Sequence, residues 1–114
     1  FWAFAWAGGQ ALARYVLDHP ETVRGKSVLD VASGSGLVAI AAMKAGAMSA
    51  IAVDIDVFAT HAAQLNAALN DVRVATSDAD PVGRPTDADL ILVGDLFYDR
   101  ELAPRVLEWL IAQQ

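Results

Sequence analysis

Apolar positions along this chain fall in short runs whose period alternates between helical and fully buried. After Gly8-Gly9, the residues Ala11, Leu12, Tyr15 and Val16 recur at i, i+1, i+4 and i+5, one face of a helix that ends near Asp18-His19-Pro20. Ser27 to Ala32 is short and β-branched, a buried strand interrupted by the single carboxylate of Asp30. The loop Ser33-Gly34-Ser35-Gly36 follows, and then Leu37 to Ala45, alanine-rich and apolar almost all round, as in a helix packed tightly on a sheet, with Gly46 as its C-cap. The unit then repeats. Ser49 to Val53 predicts a second strand ending at Asp54-Ile55-Asp56, and Val57 to Asn70 a second crossover helix with Asp56 as N-cap. Val72 to Thr76 predicts a third strand, Asp89 to Gly94 a fourth, and Leu102 to Ile111 a last helix. Strands that lack polar alternation and alternate with helices specify an α/β fold, a parallel sheet covered on both faces by right-handed crossovers.

Composition narrows the class. The 114 residues suffice for one domain, and 55% hydrophobic against 19% charged residues suits a buried core and excludes disorder. Every apolar stretch is broken by a charge, glycine or serine well before the roughly 20 residues that a membrane helix needs. A net charge of −6 argues against nonspecific binding to nucleic acid or to an anionic membrane. Cysteine is absent, which removes disulfides, thiolate metal sites and cysteine nucleophiles and is compatible with a reducing compartment. His19 and His61 lie far apart, outside any metal-ligand spacing, so they read as surface or helix-packing residues and no metal is expected. The chain opens on Phe1 and the aromatic run Phe1-Trp2-Ala3-Phe4-Ala5-Trp6, and it is expected to be a domain cut short at both ends.

The candidate chemistry lies in the first strand and its turn, Val28 to Gly36, where small residues stand at the carboxyl end of the sheet and let backbone approach a ligand. Gly34-x-Gly36-x-x-Ala39 also satisfies the dinucleotide fingerprint, with Asp54 near the distance expected of a ribose-binding carboxylate, so the spacing alone leaves the cofactor open. Asp30 bears on that choice. A carboxylate inside an apolar strand needs a cationic or hydrogen-bonding partner. A pyrophosphate near the turn would repel it, whereas S-adenosylmethionine offers an ammonium and a sulfonium. The structural alternative is that Asp30 caps a neighbouring turn.

In these residues the chain resembles the seven-β-strand methyltransferases, whose first motif is an acidic residue followed by alternating glycines; Ala32 stands where that family often has its first glycine. The resemblance implies a Rossmann-like, doubly wound sheet of methyltransferase type, of which the cofactor half is present with strand order 3-2-1-4. It also implies S-adenosyl-L-methionine as cofactor. Asp30, Ser33, Gly34 and Gly36 would then line the methionine end, Asp54 would take the ribose hydroxyls, Ile55 would lie against adenine, and Asp78 would contact the adenine amino group. For Asp54 and Asp78 the alternatives are an N-terminal capping carboxylate and an ordinary turn residue.

A more specific resemblance spans nearly the whole chain. Trp6-Ala7-Gly8-Gly9-Gln10-Ala11-Leu12, Arg24-Gly25-Lys26-Ser27-Val28-Leu29-Asp30 and Gly94-Asp95-Leu96-Phe97-Tyr98-Asp99 are similar to the lysine methyltransferases that modify the β subunit of electron transfer flavoprotein. Asp95-Leu96-Phe97-Tyr98 matches the D-x-x-Y signature of that wider family. By this resemblance Asp95 and Tyr98 are catalytic, and Trp6 with the Gly8-Gly9 turn closes over the cofactor. A lysine attacks a methyl group only as the free amine, and a carboxylate beside an aromatic face can orient it. The structural alternatives are an N-cap for Asp95 and a strand-like core role for Trp2, Phe4 and Trp6. The expected partner is a protein presenting a lysine, and the expected location is cytoplasmic, of bacterial type, in preference to mitochondrial. The alternatives are a small-molecule N-methyltransferase acting on a nicotinamide-like amine, an NAD-type oxidoreductase, and a chain that binds S-adenosylmethionine without turnover.

Overall fold

The computed structural model describes residues 7–31, 33–79, 86–93, Pro81, Glu108 and Ile111. The elements run α1 (Ala7–Asp18), a 3-10 turn (Pro20–Thr22), β1 (Ser27–Val31), α2 (Leu37–Lys44), β2 (Ser49–Val53), α3 (Val57–Leu69), β3 (Ala75–Ser77) and β4 (Leu90–Val93). The four strands form one parallel sheet in the order β3-β2-β1-β4. That is the order the family resemblance implies. Asp30 lies at the centre of the sheet, opposite Ala52 on β2 and Leu92 on β4.

Small side chains set the layer spacing. Ala39 and Ala42 on α2, Ala52 on β2, and Ala59 and Ala63 on α3 are fully buried, which lets both helices approach closely. Val16, Val23 and Val28 fill the larger gaps, each contributing about 1.5–3 kcal/mol by leaving water. The first helix turns Ala13 and Val16 inward and keeps Arg14 and Asp18 outside as an exposed i, i+4 ion pair. At the amino ends of β1 and β4, Asp89 accepts from the N–H and hydroxyl of Ser27 at 3.0 and 3.2 Å and fixes the start of β4 beside β1. Among the described residues no helix is long and apolar enough to cross a membrane.

Two boundaries differ from the sequence expectation. The third strand is Ala75–Ser77, not 72–76. Asp71 takes φ +56, and the N–H groups of Asp71 and Val72 bond back to the carbonyls of Ala68 and Ala67, so the start of the expected strand closes the end of α3. Gly8 and Gly9 lie inside the first turn of α1 and not in a turn ahead of it. Glycine keeps its backbone N–H, and its cost in a helix is conformational entropy, about 0.5–1 kcal/mol in the middle of a helix. Glu108 and Ile111 are helical; the rest of the expected last helix, with Gly94, lies outside the described residues.

Candidate cofactor site

The carboxyl ends of β1, β2 and β3 are tied in one line. Ser33 N–H donates to Val53 O at 3.0 Å and Asp54 N–H donates to Ser77 O at 3.1 Å, extending the ladder just past the strands. The loops that leave the three strands therefore start from fixed points, at the end of the sheet where open α/β folds bind ligands.

The glycine loop is a tight turn, closed by Gly36 N–H on Ser33 O at 3.0 Å. Gly34 and Gly36 have φ +54 and +85, a region that other residues rarely adopt. Gly36 is needed for space as well. A Cβ there would stand 2.8 Å from the Cβ of Ala63, so α3 presses directly on the loop. The side chain of Asn66, one turn further along α3, donates to Ser35 O at 2.9 Å. Ser33 Oγ is buried and has no hydrogen-bond partner among the described residues.

Asp54 and Asp56 divide the work of two neighbouring carboxylates. Asp54 Oδ2 accepts from Gly34 N–H at 2.9 Å, and its Oδ1 accepts from Asp56 N–H at 3.0 Å. Asp56 in turn accepts from Phe58 N–H at 2.9 Å and is the N-cap of α3, as the sequence pattern requires. Each Asp54 oxygen thus holds one N–H and keeps a lone pair for a further donor. Ile55 beside it is 71% exposed, and Asp78 is exposed directly after β3.

Asp30 is 2% exposed, and its Oδ2 accepts from Ala39 N–H at 3.1 Å. Ala39 is the third residue of α2, whose N-cap is Gly36, a residue with no side chain to offer. The strand therefore supplies the cap that the loop lacks, at the positive end of the helix dipole. This is the capping alternative in a long-range form, and it gives the buried charge a partner within the chain. Burial of Asp30 by itself consequently does not discriminate between the two cofactors.

The structure brings Ser33, Gly34, Gly36, Asp54 and Ile55 to one edge, with Asp30 behind the loop and Asp78 directly after the last residue of β3. Trp6, Asp95 and Tyr98 lie outside the described residues. Among the described residues no three acidic or histidine side chains converge as a metal site would require. His19 is exposed and stacks on Tyr15 with ring centroids 4.4 Å apart. Asn66 and Ala63 escaped the sequence reading; the faint signal for Asn66 was an amide within the uncharged helix segment 62–69.

The chain is 47% identical over 113 residues to the electron transfer flavoprotein beta subunit lysine methyltransferase of Rattus norvegicus, covering 96% of this chain and 44% of that protein. It is 40% identical over 92 residues to the ribosomal protein L11 methyltransferase of Sodalis glossinidius (strain morsitans), covering 75% of this chain and 30% of that protein. The crystal structure of a ribosomal protein L11 methylase from Lactobacillus delbrueckii subsp. bulgaricus superposes with a TM-score of 0.72 at 32% identity, covering 92% of this chain and 52% of that one. The chain thus spans about half the length of the relatives it matches best among these. Residues 10–94, from α1 through β4, match the family described as ribosomal protein L11 methyltransferase (PrmA), and the chain belongs to that family.

Proposed function

We propose that the protein is an S-adenosylmethionine-dependent protein lysine N-methyltransferase and that its acceptor is the β subunit of electron transfer flavoprotein. The observation that carries the reading is the Asp54 carboxylate held against the glycine loop at Gly34, at the carboxyl end of a parallel sheet, in a chain of a methyltransferase family. The residues fit the cofactor. Asp54 has lone pairs left for a ribose diol, Ile55 offers an exposed apolar face for adenine, and the orphaned Ser33 hydroxyl lies in the loop itself. Gly34 and Gly36 allow backbone to approach the methionine end, with Asp30 behind them as the negative charge, Asp78 near the adenine amino group and Trp6 closing from the amino-terminal side.

When bound, S-adenosylmethionine supplies a methyl group activated by its sulfonium. In this reading Asp95 accepts a hydrogen bond from the substrate amine and orients its lone pair, and Tyr98 walls the lysine channel and can hold the cationic product against its ring. Two relatives whose names specify protein acceptors favour a protein over a nicotinamide-like amine. Membership of a methyltransferase family leaves the oxidoreductase alternative without support. The cysteine-free sequence suits a reducing, cytoplasmic location.

The test is incubation of the purified protein with S-adenosylmethionine and purified electron transfer flavoprotein, followed by peptide mass spectrometry. One or more methyl groups on β-subunit lysines is the expected result. Cofactor binding without methylation of any lysine, or methylation of nicotinamide instead, would overturn the acceptor assignment.

A further inference from the structure

Helix α3 touches both halves of the candidate cofactor site although none of its side chains belongs to it. Its N-cap Asp56 is held by Asp54, its Ala63 sits where a Cβ on Gly36 would collide, and its Asn66 reaches back 31 residues to the carbonyl of Ser35. The first two contacts are made by a backbone amide and a methyl group. The third is a directed hydrogen bond from a half-buried side-chain amide, and Asn70 Nδ2 donates to the main-chain carbonyl of Asn66 at 2.8 Å.

We infer that Asn66 is a positioning residue for the methionine end of S-adenosylmethionine, acting through the Ser35–Gly36 peptide. This rests on the cofactor reading above. Two bonds fix that peptide: Asn66 Nδ2 on its carbonyl and Ser33 O on its N–H. Rotation of the peptide would move Gly36, the N-cap of α2, and with it the backbone that faces the ligand. Packing does not replace the bond, because Asn66 and Ser35 border a cavity of about 290 Å³ lined also by Leu17, Leu37, Ile40 and Lys44. The side chain has room to turn away, so at the Ser35 carbonyl the hydrogen bond, and not packing around Asn66, sets the orientation of the peptide. The adenosine end meets other residues, Asp54 and Ile55, which follow the last residue of β2 and have no contact with Asn66 in this reading.

Asn66→Asp changes shape hardly at all but turns the donor into an acceptor facing the Ser35 carbonyl. Calorimetric titration with S-adenosylhomocysteine and with methylthioadenosine, which lacks the amino-acid end, separates the possibilities. The expected result is an affinity for S-adenosylhomocysteine about tenfold lower, an affinity for methylthioadenosine within about twofold of the parent, and an unchanged fold by circular dichroism. Asn66→Ala should give the same split if the aspartate variant is too unstable to purify. A lowered melting temperature with both affinities unchanged would make Asn66 merely structural and overturn the assignment, as would equal weakening of both ligands. A parent protein that binds neither ligand would overturn the cofactor reading itself, and this inference with it.

Discussion

The carboxylate of Asp54 accepts from the backbone N–H of Gly34 at 2.9 Å, joining the tip of β2 to the loop that follows β1. The residue assigned to the ribose is thus also a strut of the loop assigned to the methionine end.

Asp54→Ala should therefore act twice. Affinity for S-adenosylhomocysteine should fall by about 1.5–3 kcal/mol, the loss typical of hydrogen bonds to a charged acceptor. The melting temperature should fall as well, since the Gly34 and Asp56 amides lose their acceptor. Calorimetry showing unchanged affinity would remove Asp54 from the site.

Gly36→Ala should destabilise the fold by about 2–5 kcal/mol. About 1–2 comes from the left-handed backbone at φ +85 and the remainder from forcing a methyl group against Ala63. Urea denaturation measures this directly. A variant as stable as the parent would mean that α3 can withdraw from the loop at no cost.

Asp30→Leu should cost at least about 1–3 kcal/mol of stability, because the Ala39 N–H would be left buried without an acceptor. Asp30→Asn keeps an oxygen for that N–H and should retain more of the stability. If the charge also faces the ammonium of the cofactor, the asparagine variant should still bind S-adenosylhomocysteine more weakly. Equal affinity of parent and asparagine variant would confine Asp30 to capping α2.

Stability should fall on acidification in a way traceable to Asp89. Its carboxyl is held below the ordinary carboxylate range by the backbone N–H of Ser27 and then by the Ser27 hydroxyl. The unfolded chain therefore takes up this proton at a higher pH than the folded chain. The contribution is complete above the ordinary range, near pH 4, and is lost as pH falls through the depressed folded value. Asp18, lowered chiefly by its hydrogen bond to Arg14, adds the same sign. Melting curves of parent and Asp89→Asn from about pH 7 to pH 3 should converge in acid. A constant gap at every pH would exclude this linkage.

Asp95→Ala should abolish most turnover while cofactor affinity stays close to that of the parent, because its proposed contact is to the amine and not the nucleoside. Single-turnover kinetics beside equilibrium titration separates the two. Collapse of cofactor affinity with turnover per bound complex intact would move Asp95 to the cofactor shell.

Local chemistry made much of this molecule legible in its sequence. The limits of β2 follow from a short apolar run that opens at Ser49 and stops at Asp54, and Asp56 reads as a cap because an aspartate before an apolar helix favours that use. The glycine loop is visible for the same reason, since positive φ and close approach both demand residues without a Cβ. Tertiary structure decided what depended on distant partners. Asp30 was readable as a buried charge in need of company, but that Ala39 N–H provides it depends on how α2 is laid over β1. The third strand begins only where the chain, released from the Schellman closure of α3, comes alongside β2. The part played by Asn66 arises because crossover packing carries α3 behind a loop 31 residues earlier, and no local pattern records a contact made by the fold as a whole.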